Sequence, residues 1–316
     1  MDLNALRVFE RVAATGSFTA TARHFHRAVS SVSRQIASLE ESLGQQLLYR
    51  HTRAVTLTEA GLRYYQDVRE ILEQLDLATE ALMAPDTEPS GVLRLNAPVA
   101  FGQRQIMPIL HHFQQRYPAI KVELMLTDQL TDPVREGIDI TFRVGELADT
   151  TLVARRLAPM NYVVAAAPSY LQHTGAPNTP DDLSQHNCLL YQGEMGRQRW
   201  YFYHPEQPQP ITCKVDGSLY SNDAGSLVQA ALMGQGFVMF PTWLIADELA
   251  SKKLLPVLEA WRCEVAPGKR DIHVLYAQRR LHTRKVSVFL DHLFEMVGPV
   301  PPWDNWRERR LSGGSN

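Results

Sequence analysis

Long apolar runs are missing from this chain. No stretch approaches the roughly 18–20 apolar residues that a bilayer-spanning helix needs, and the opening MDLNALRVFE lacks the basic-then-apolar order of a signal peptide. Cysteine is scarce as well. Cys188, Cys213 and Cys263 are odd in number and widely separated, with no CxxC or Cys/His cluster, which argues against a disulfide framework and a zinc site. These absences predict a cytoplasmic protein with reduced thiols and no metal or other cofactor. Net charge is also small, −2 over 316 residues, so bulk charge does not announce a nucleic-acid partner. Lysine is absent from residues 1–60, yet that segment holds seven arginines (positions 7, 11, 23, 27, 34, 50, 53) against five acids (2, 10, 40, 41, 59). The excess of +2 matters only if it is gathered on one face.

What is present begins with short helices over residues 1–60. Leu6, Phe9 and Val12 recur on one helical face, Gly16 and Ser17 supply a stop and a fresh N-cap, and Phe18, Ala22 and Phe25 line a second helix. After a third helix, LLYR and AVTLT flank a basic HTR and read as a small hairpin. A long helix follows over 58–84. Its Tyr65, Val68, Leu72, Leu75, Thr79 and Leu82 keep the alternating three-four spacing of a two-helix coiled-coil seam, so it is expected to dimerise rather than to serve as core. APDTEPSG then breaks it, and 85–91 reads as a hinge.

From 92 onward strands alternate with helices, the pattern of an open α/β sheet. VLRLNAPV, KVELMLT and IDITFRVG are predicted strands, with helices expected over 102–117 and 130–137. NYVVAAAP leads out toward a second unit containing CLLYQ, RWYFYH, GFVMFP and helices over 224–235 and 241–250. DIHVLYAQ and a helix near 283–297 look like a return to the first sheet. A chain that leaves one lobe and comes back makes a two-lobed, hinged body over 92–297, with lobe I at 92–166 and 270–297 and lobe II at 167–269. The tail over 298–316 is expected to be flexible apart from its two tryptophans.

SSVSRQIASLEESLG (residues 30–44) carries the functional argument. On a helical projection Val32, Ile36, Leu39 and Leu43 fall in one narrow arc, with Ser30, Arg34, Ala37 and Glu41 roughly opposite and Ser33 on the flank. A solvated helix face usually carries Lys and Glu. Serine is a poor helix former, and small polar residues make sense where another body approaches closely, as in a DNA major groove. A helix, a turn, a second helix and a basic hairpin form the winged helix-turn-helix arrangement.

At these residues the chain resembles the LysR-type transcriptional regulators. The likeness runs through Phe9, Gly16–Ser17–Phe18, Ala22, VSRQI at 32–36, LE at 39–40, Leu43–Gly44, Leu47, Arg50, Arg53 and LTEAG at 57–61. APVAFG, RVGEL, LVARRLAP, SND and GQGFVMFP extend it over about residues 1–295. The resemblance implies an α/β multidomain chain: a winged helix-turn-helix DNA-binding domain, a linker helix, and a periplasmic-binding-protein-like effector domain. It further implies homodimers paired into homotetramers, binding to interrupted palindromes in double-stranded DNA, and contact with RNA polymerase in an activator. A small effector in the cleft would close the lobes and change the DNA bend.

Carried over by position, Ser33 and Arg34 face DNA, and Arg53 sits on the wing. Ser30 joins them by geometry. The sequence departs from the family's usual Leu-Gly/His-Val-Ser-Gln at Phe25-His26-Arg27-Ala28-Val29. Arg27 is a candidate phosphate contact, and Val29 is placed to touch a thymine methyl. Ala28 replaces a Ser/Thr N-cap, a loss of about 0.5–2 kcal/mol if nothing else caps the helix.

The family's effector positions correspond to Val99, Ala100, Phe101 and Gly102, to Thr127, to Arg143, and to Asn222 and Asp223. Helix N-termini and Arg143 would suit a small organic acid, and an aromatic compound fits the apolar Val99–Phe101 turn. The competing class, an enzyme or solute-binding protein with an accessory N-terminal domain, finds no nucleophile elbow, phosphate loop or zinc pattern. His111–His112 sit in a polar helical stretch, and Asp139 alternates with Ile138 and Ile140.

Overall fold

The computed structural model describes residues 2–50, 55–80, 88–129, 132–133, 136–145, 147, 150–193, 196–206, 209–268 and 270–312. The chain divides into two units, the first comprising 1–87 with 134–137 and the second the remainder.

The first unit is built by local signals. Helix α1 (Leu3–Thr15) is capped by the Asp2 carboxylate, which accepts from the Asn4 N–H, and stops at Gly16, whose φ of 61° suits glycine. Ser17 caps α2 (Phe18–His24) by accepting from the Ala20 N–H at 3.2 Å. The turn out of α2 places His26 at φ 52°, a left-handed conformation that non-glycine residues adopt rarely. Helix α3 (Val29–Leu43) follows and ends on Gly44 at φ 62°. Strands Leu48–Arg50 and Val55–Leu57 then pair antiparallel, Leu48 opposite Leu57. Leu6, Phe9, Val12, Val32, Ile36 and Leu39 pack into one buried cluster closed by Leu47 and Leu48. Each such side chain contributes about 1.5–3 kcal/mol on leaving water.

Helix α4 (Glu59–Glu80) does two jobs. Val68 and Leu72 are 1% and 5% exposed and belong to the same core, with Phe9 packing edge-on to Tyr65 at 6.5 Å. Half of the expected seam is therefore domain core, because a stripe of that spacing fixes a helix face but not its partner. Of the remaining seam, Leu75 is exposed, as is Ile71 on another side of the helix. Leu82, also assigned to the seam, lies outside the described residues.

The second unit contains two main sheets. The first has the order Ile120–Leu126, Gly91–Ala97, Ile140–Gly145, Asp271–Tyr276, Val153–Pro159. Gly91–Ala97 is parallel to both neighbours and Asp271–Tyr276 antiparallel to both. Helical residues 99–116 and the helix Arg284–Val297 pack together, Phe113 against Phe289 at 5.0 Å. Asp139 is buried, ion-paired with Arg280 and with Lys285 at 3.2 Å, and accepts from the Arg94 N–H at 2.8 Å. Those partners make it a brace between the strands and the start of the helix Arg284–Val297.

The second sheet runs Ile211–Cys213, Trp200–Tyr203, Arg262–Glu264, Tyr162–Ala166, Val238–Pro241, with Leu255–Val257 also pairing to Tyr162–Ala166. Three expectations change here. Tyr162–Ala166 belongs to the second sheet, so the chain crosses between sheets at Met160–Asn161 rather than after 166. The tail is packed through Trp306: Trp303 and Trp306 are 3% and 2% exposed, and Trp306–Ser312 is helical. Two indoles cost too much to leave in water when an apolar wall is within reach. Of the short helix expected over 130–137, residues 130–131 and 134–135 lie outside the described residues, and 136–137 form a turn.

Candidate DNA interface and effector cleft

Helix α3 turns Val32, Ile36 and Leu39 inward. That leaves Val29 (43% exposed), Ser30 and Arg34 on the outside, with Ser33 half-buried on the flank. Ala28 occupies the N-cap position without a side-chain bond, as its methyl group dictates. The Arg34 Nε–H donates back to the Ser30 carbonyl at 3.3 Å, which holds the base of the guanidinium against the first turn. Arg27 is exposed and donates to Gln35 Oε1 at 3.2 Å, so α3 holds the turn residue from two helical turns away. The helix thus gathers Arg27, Val29, Ser30, Ser33 and Arg34, while Arg53 lies outside the described residues.

The wing is tied to both neighbouring helices through one short segment. The Glu40 carboxylate accepts from the N–H groups of Leu47 and Leu48 at 2.9 and 3.0 Å. From the other side, the Thr58 hydroxyl donates to the Gln46 carbonyl at 2.8 Å and accepts from the Gly61 N–H at 2.9 Å. The Thr58 N–H donates to the Leu47 carbonyl at 2.9 Å. Gly61 has no alternative, since a Cβ there would lie 1.9 Å from the Leu47 carbonyl oxygen. Helix α3, the hairpin and helix α4 are therefore fastened together at Gln46–Leu48. Glu40 and Thr58 stand in the LE and LTEAG motifs, but the sequence gives neither this fastening role, because an eight- or twelve-residue reach leaves no periodic mark.

In the second unit the expected effector residues separate into two groups. Phe101, expected to line the cleft, is instead fully buried, ringed by Phe142 at 5.9 Å, Trp243 at 5.3 Å and Trp303 at 6.2 Å, which leaves no face for a ligand. Gly102 is also buried and opens a π-helical turn, Gly102–Ile106, inside the helical stretch. Val99, Ala100 and Thr127 are half-buried. The helix end at Val99 is not open to an anion: its N–H donates to Asp128 Oδ1 at 3.1 Å. Asp223 likewise caps the helix Ala224–Leu232, accepting from the Ser226 N–H at 2.8 Å and from its hydroxyl at 2.5 Å. Those two bonds hold the Asp223 carboxyl below the usual carboxylate range. Asn222 is exposed beside it.

Arg143 stands on strand Ile140–Gly145 and donates to Asn96 Oδ1 at 3.4 Å. Asn96 is buried, a polar side chain among Leu93, Leu95 and Ala97. That lone amide in VLRLNA was the available signal for a polar floor beneath Arg143. The buried Thr141 hydroxyl, on the strand position paired with Asn96, has no hydrogen-bond partner among the described residues. No described residues form a cluster of metal-binding side chains, and no described helix is long and apolar enough to cross a membrane.

A helix-turn-helix with a paired wing, followed by a unit of two sheets joined by crossing strands, defines a ligand-responsive DNA-binding regulator. Residues 3–62 match the lysR family of bacterial regulatory helix-turn-helix proteins, and residues 86–298 match the LysR substrate binding domain. An uncharacterised HTH-type transcriptional regulator of Haemophilus influenzae is 34% identical over 285 residues, covering 90% of this chain and 97% of that one. The HTH-type transcriptional activator AaeR of Escherichia coli is 32% identical, with 92% of each chain covered. The solved structure of CrgA, a LysR-type transcriptional regulator from Neisseria meningitidis, aligns at a TM-score of 0.60 and 30% identity, covering 94% of this chain and 99% of that one. The chain belongs to the LysR-type transcriptional regulators. It is a DNA-binding protein with an effector-binding domain.

Proposed function

We propose that α3 lies in the major groove with Val29, Ser30 and Arg34 toward the base edges, and Ser33 and Arg27 toward the phosphates. The observation that carries this reading is the composition of the outward side of α3: one branched apolar residue, two serines and an arginine, with no acid before Glu40. Arg34 suits a guanine edge and Val29 a thymine methyl. Arg27, held by Gln35, suits a backbone oxygen. Arg53 is assigned to the wing contact. Electrophoretic shift against the promoter region of the adjacent gene tests this. Arg34→Ala is expected to weaken binding by about 1–3 kcal/mol and to relax preference at one base pair of each half-site. Arg27→Ala should lower affinity uniformly and flatten the salt dependence. Equal loss on every sequence for Arg34→Ala would contradict the assignment.

The second unit is assigned a small effector held between its sheets, with Arg143 as the charged contact. Because Asp128 and Asp223 already occupy the two helix ends, an effector acid group is directed to Arg143, and Val99 and Ala100 meet its apolar part. Asn222 and Thr127 are assigned to the same site. Thermal-shift screening of small aromatic and aliphatic carboxylates should find stabilisation that Arg143→Ala removes. Stabilisation retained in that variant would move the site elsewhere. The working assembly is assigned as a homodimer or homotetramer paired through α4, with contact to RNA polymerase where the regulator activates.

A further inference from the structure

The matched effector domain ends at residue 298, yet the chain continues as an ordered arm. Its path is informative. The arm leaves the helix Arg284–Val297, which packs on the first sheet, and ends on the helix Thr242–Ala250, which belongs with the second. Three contacts fix it on the way. Trp303 stands edge-to-face on Phe101 at 6.2 Å, and Phe101 stands edge-to-face on Trp243 at 5.3 Å, so Phe101 of the first lobe touches both the arm's indole and the second lobe's. The Asp304 carboxylate accepts from Asn161 Nδ2 at 2.9 Å and from Thr242 Oγ1 at 2.5 Å. Arg309 pairs with Asp247 at 3.0 Å.

Asn161 is the telling partner. It lies between Val153–Pro159 of the first sheet and Tyr162–Ala166 of the second, on one of the two crossing strands. Its carbonyl also accepts from the Thr242 N–H at 2.7 Å. A rotation of one lobe against the other must change the backbone at that crossing, and Asp304 ties it to the second lobe's helix. Nearby, Gln105 Nε2 donates to the Trp243 carbonyl at 2.6 Å and Arg104 pairs with Glu248 at 2.9 Å, so the lobes already touch where the arm passes.

We propose that residues 299–312 form a third connection between the lobes, a strap that sets the inter-lobe angle of the effector unit through Trp303 and Asp304. Two crossing strands alone leave a hinge free to open. A strap anchored on both sides restricts that freedom, so the effector acts on a body already held near one angle. The inference concerns the lobes without ligand and stands independently of the effector assignment above.

The test is a distance measurement on the full-length protein. Spin labels are placed at Lys121→Cys in the first sheet and Lys253→Cys in the second lobe, both exposed positions; the native thiols are buried. The otherwise unaltered chain should give one narrow distance distribution by pulsed electron resonance. Trp303→Ala and Asp304→Ala should each broaden it or add a second, displaced distance, and truncation after Gly298 should do so most. A wild-type distribution in the truncated protein, with its circular dichroism intact, would overturn the proposal. Should truncation unfold the chain, the Trp303→Ala/Asp304→Ala double variant decides: broadening supports the strap, and an unchanged narrow distribution overturns it.

Discussion

Replacing Glu40 by alanine leaves the Leu47 and Leu48 N–H groups without their acceptor. Leu48 is fully buried and Leu47 nearly so, which limits how well water can substitute. An unsatisfied buried donor costs roughly 1–3 kcal/mol. Two donors sharing one carboxylate therefore predict a loss of about 2–4 kcal/mol, discounted at the upper end because Glu40 itself is half-buried. Glu40→Gln keeps an acceptor but removes its charge, so it should lose about half as much, since bonds to ionised groups are roughly twice as strong as neutral ones. Urea unfolding of the full-length protein, followed at the first transition, reads these differences. Salt titration of operator binding reads the second consequence, a wing no longer fastened to α3 and hence fewer phosphate contacts in the bound state. If both variants unfold with the wild-type midpoint, or if glutamine is as damaging as alanine, the two-donor account fails.

Two further outcomes follow from the second unit. Asp223 has its carboxyl pKa depressed by the Ser226 hydroxyl and N–H; its contribution is therefore complete above the unfolded value near 3.9 and is lost as pH falls through the lower folded value. Asp223→Ala should cost about 0.5–2 kcal/mol near neutrality, with the gap to wild type closing as the pH of unfolding measurements drops from 5 toward 3. Burial pushes the thiols up to about 12 at Cys188, about 11 at Cys213 and about 12 at Cys263. Ellman's reagent at pH 8 should accordingly label none of them in the native protein and all three after denaturation. A rapidly reacting native thiol would instead point to a redox-responsive site.

Legibility tracked the distance over which each feature is determined. The α1–α2 junction could be read because Gly16 and Ser17 act on their own neighbours. The buried arc of α3 was equally open, and Ala28 stood out as an uncapped start from its side chain alone. On α4 the spacing named a face but not its partner, so Val68 and Leu72 read as a seam when they close the core. The strand Val153–Pro159 leaves little mark in the sequence because Arg155 and Arg156 interrupt its apolar alternation, as an edge strand permits. The turn at Phe101 matches a family cleft position, whereas three aromatic rings from distant segments enclose the side chain. The arm was hardest: proline and charge suggest loop, and Trp303 and Trp306 are buried by residues from distant parts of the chain.

The uncapped start of α3 has a calorimetric consequence. With no side-chain acceptor at Ala28, the first turn, which carries Val29 and Ser30, has a low opening free energy in the unbound protein and should exchange its amide hydrogens early. Seating that turn in the groove orders it at the moment of contact. The heat capacity of association should then be more negative than rigid docking of α3 would give. Ala28→Ser, by pre-forming the turn, should bring it closer to the rigid value and shift the temperature at which operator affinity is greatest.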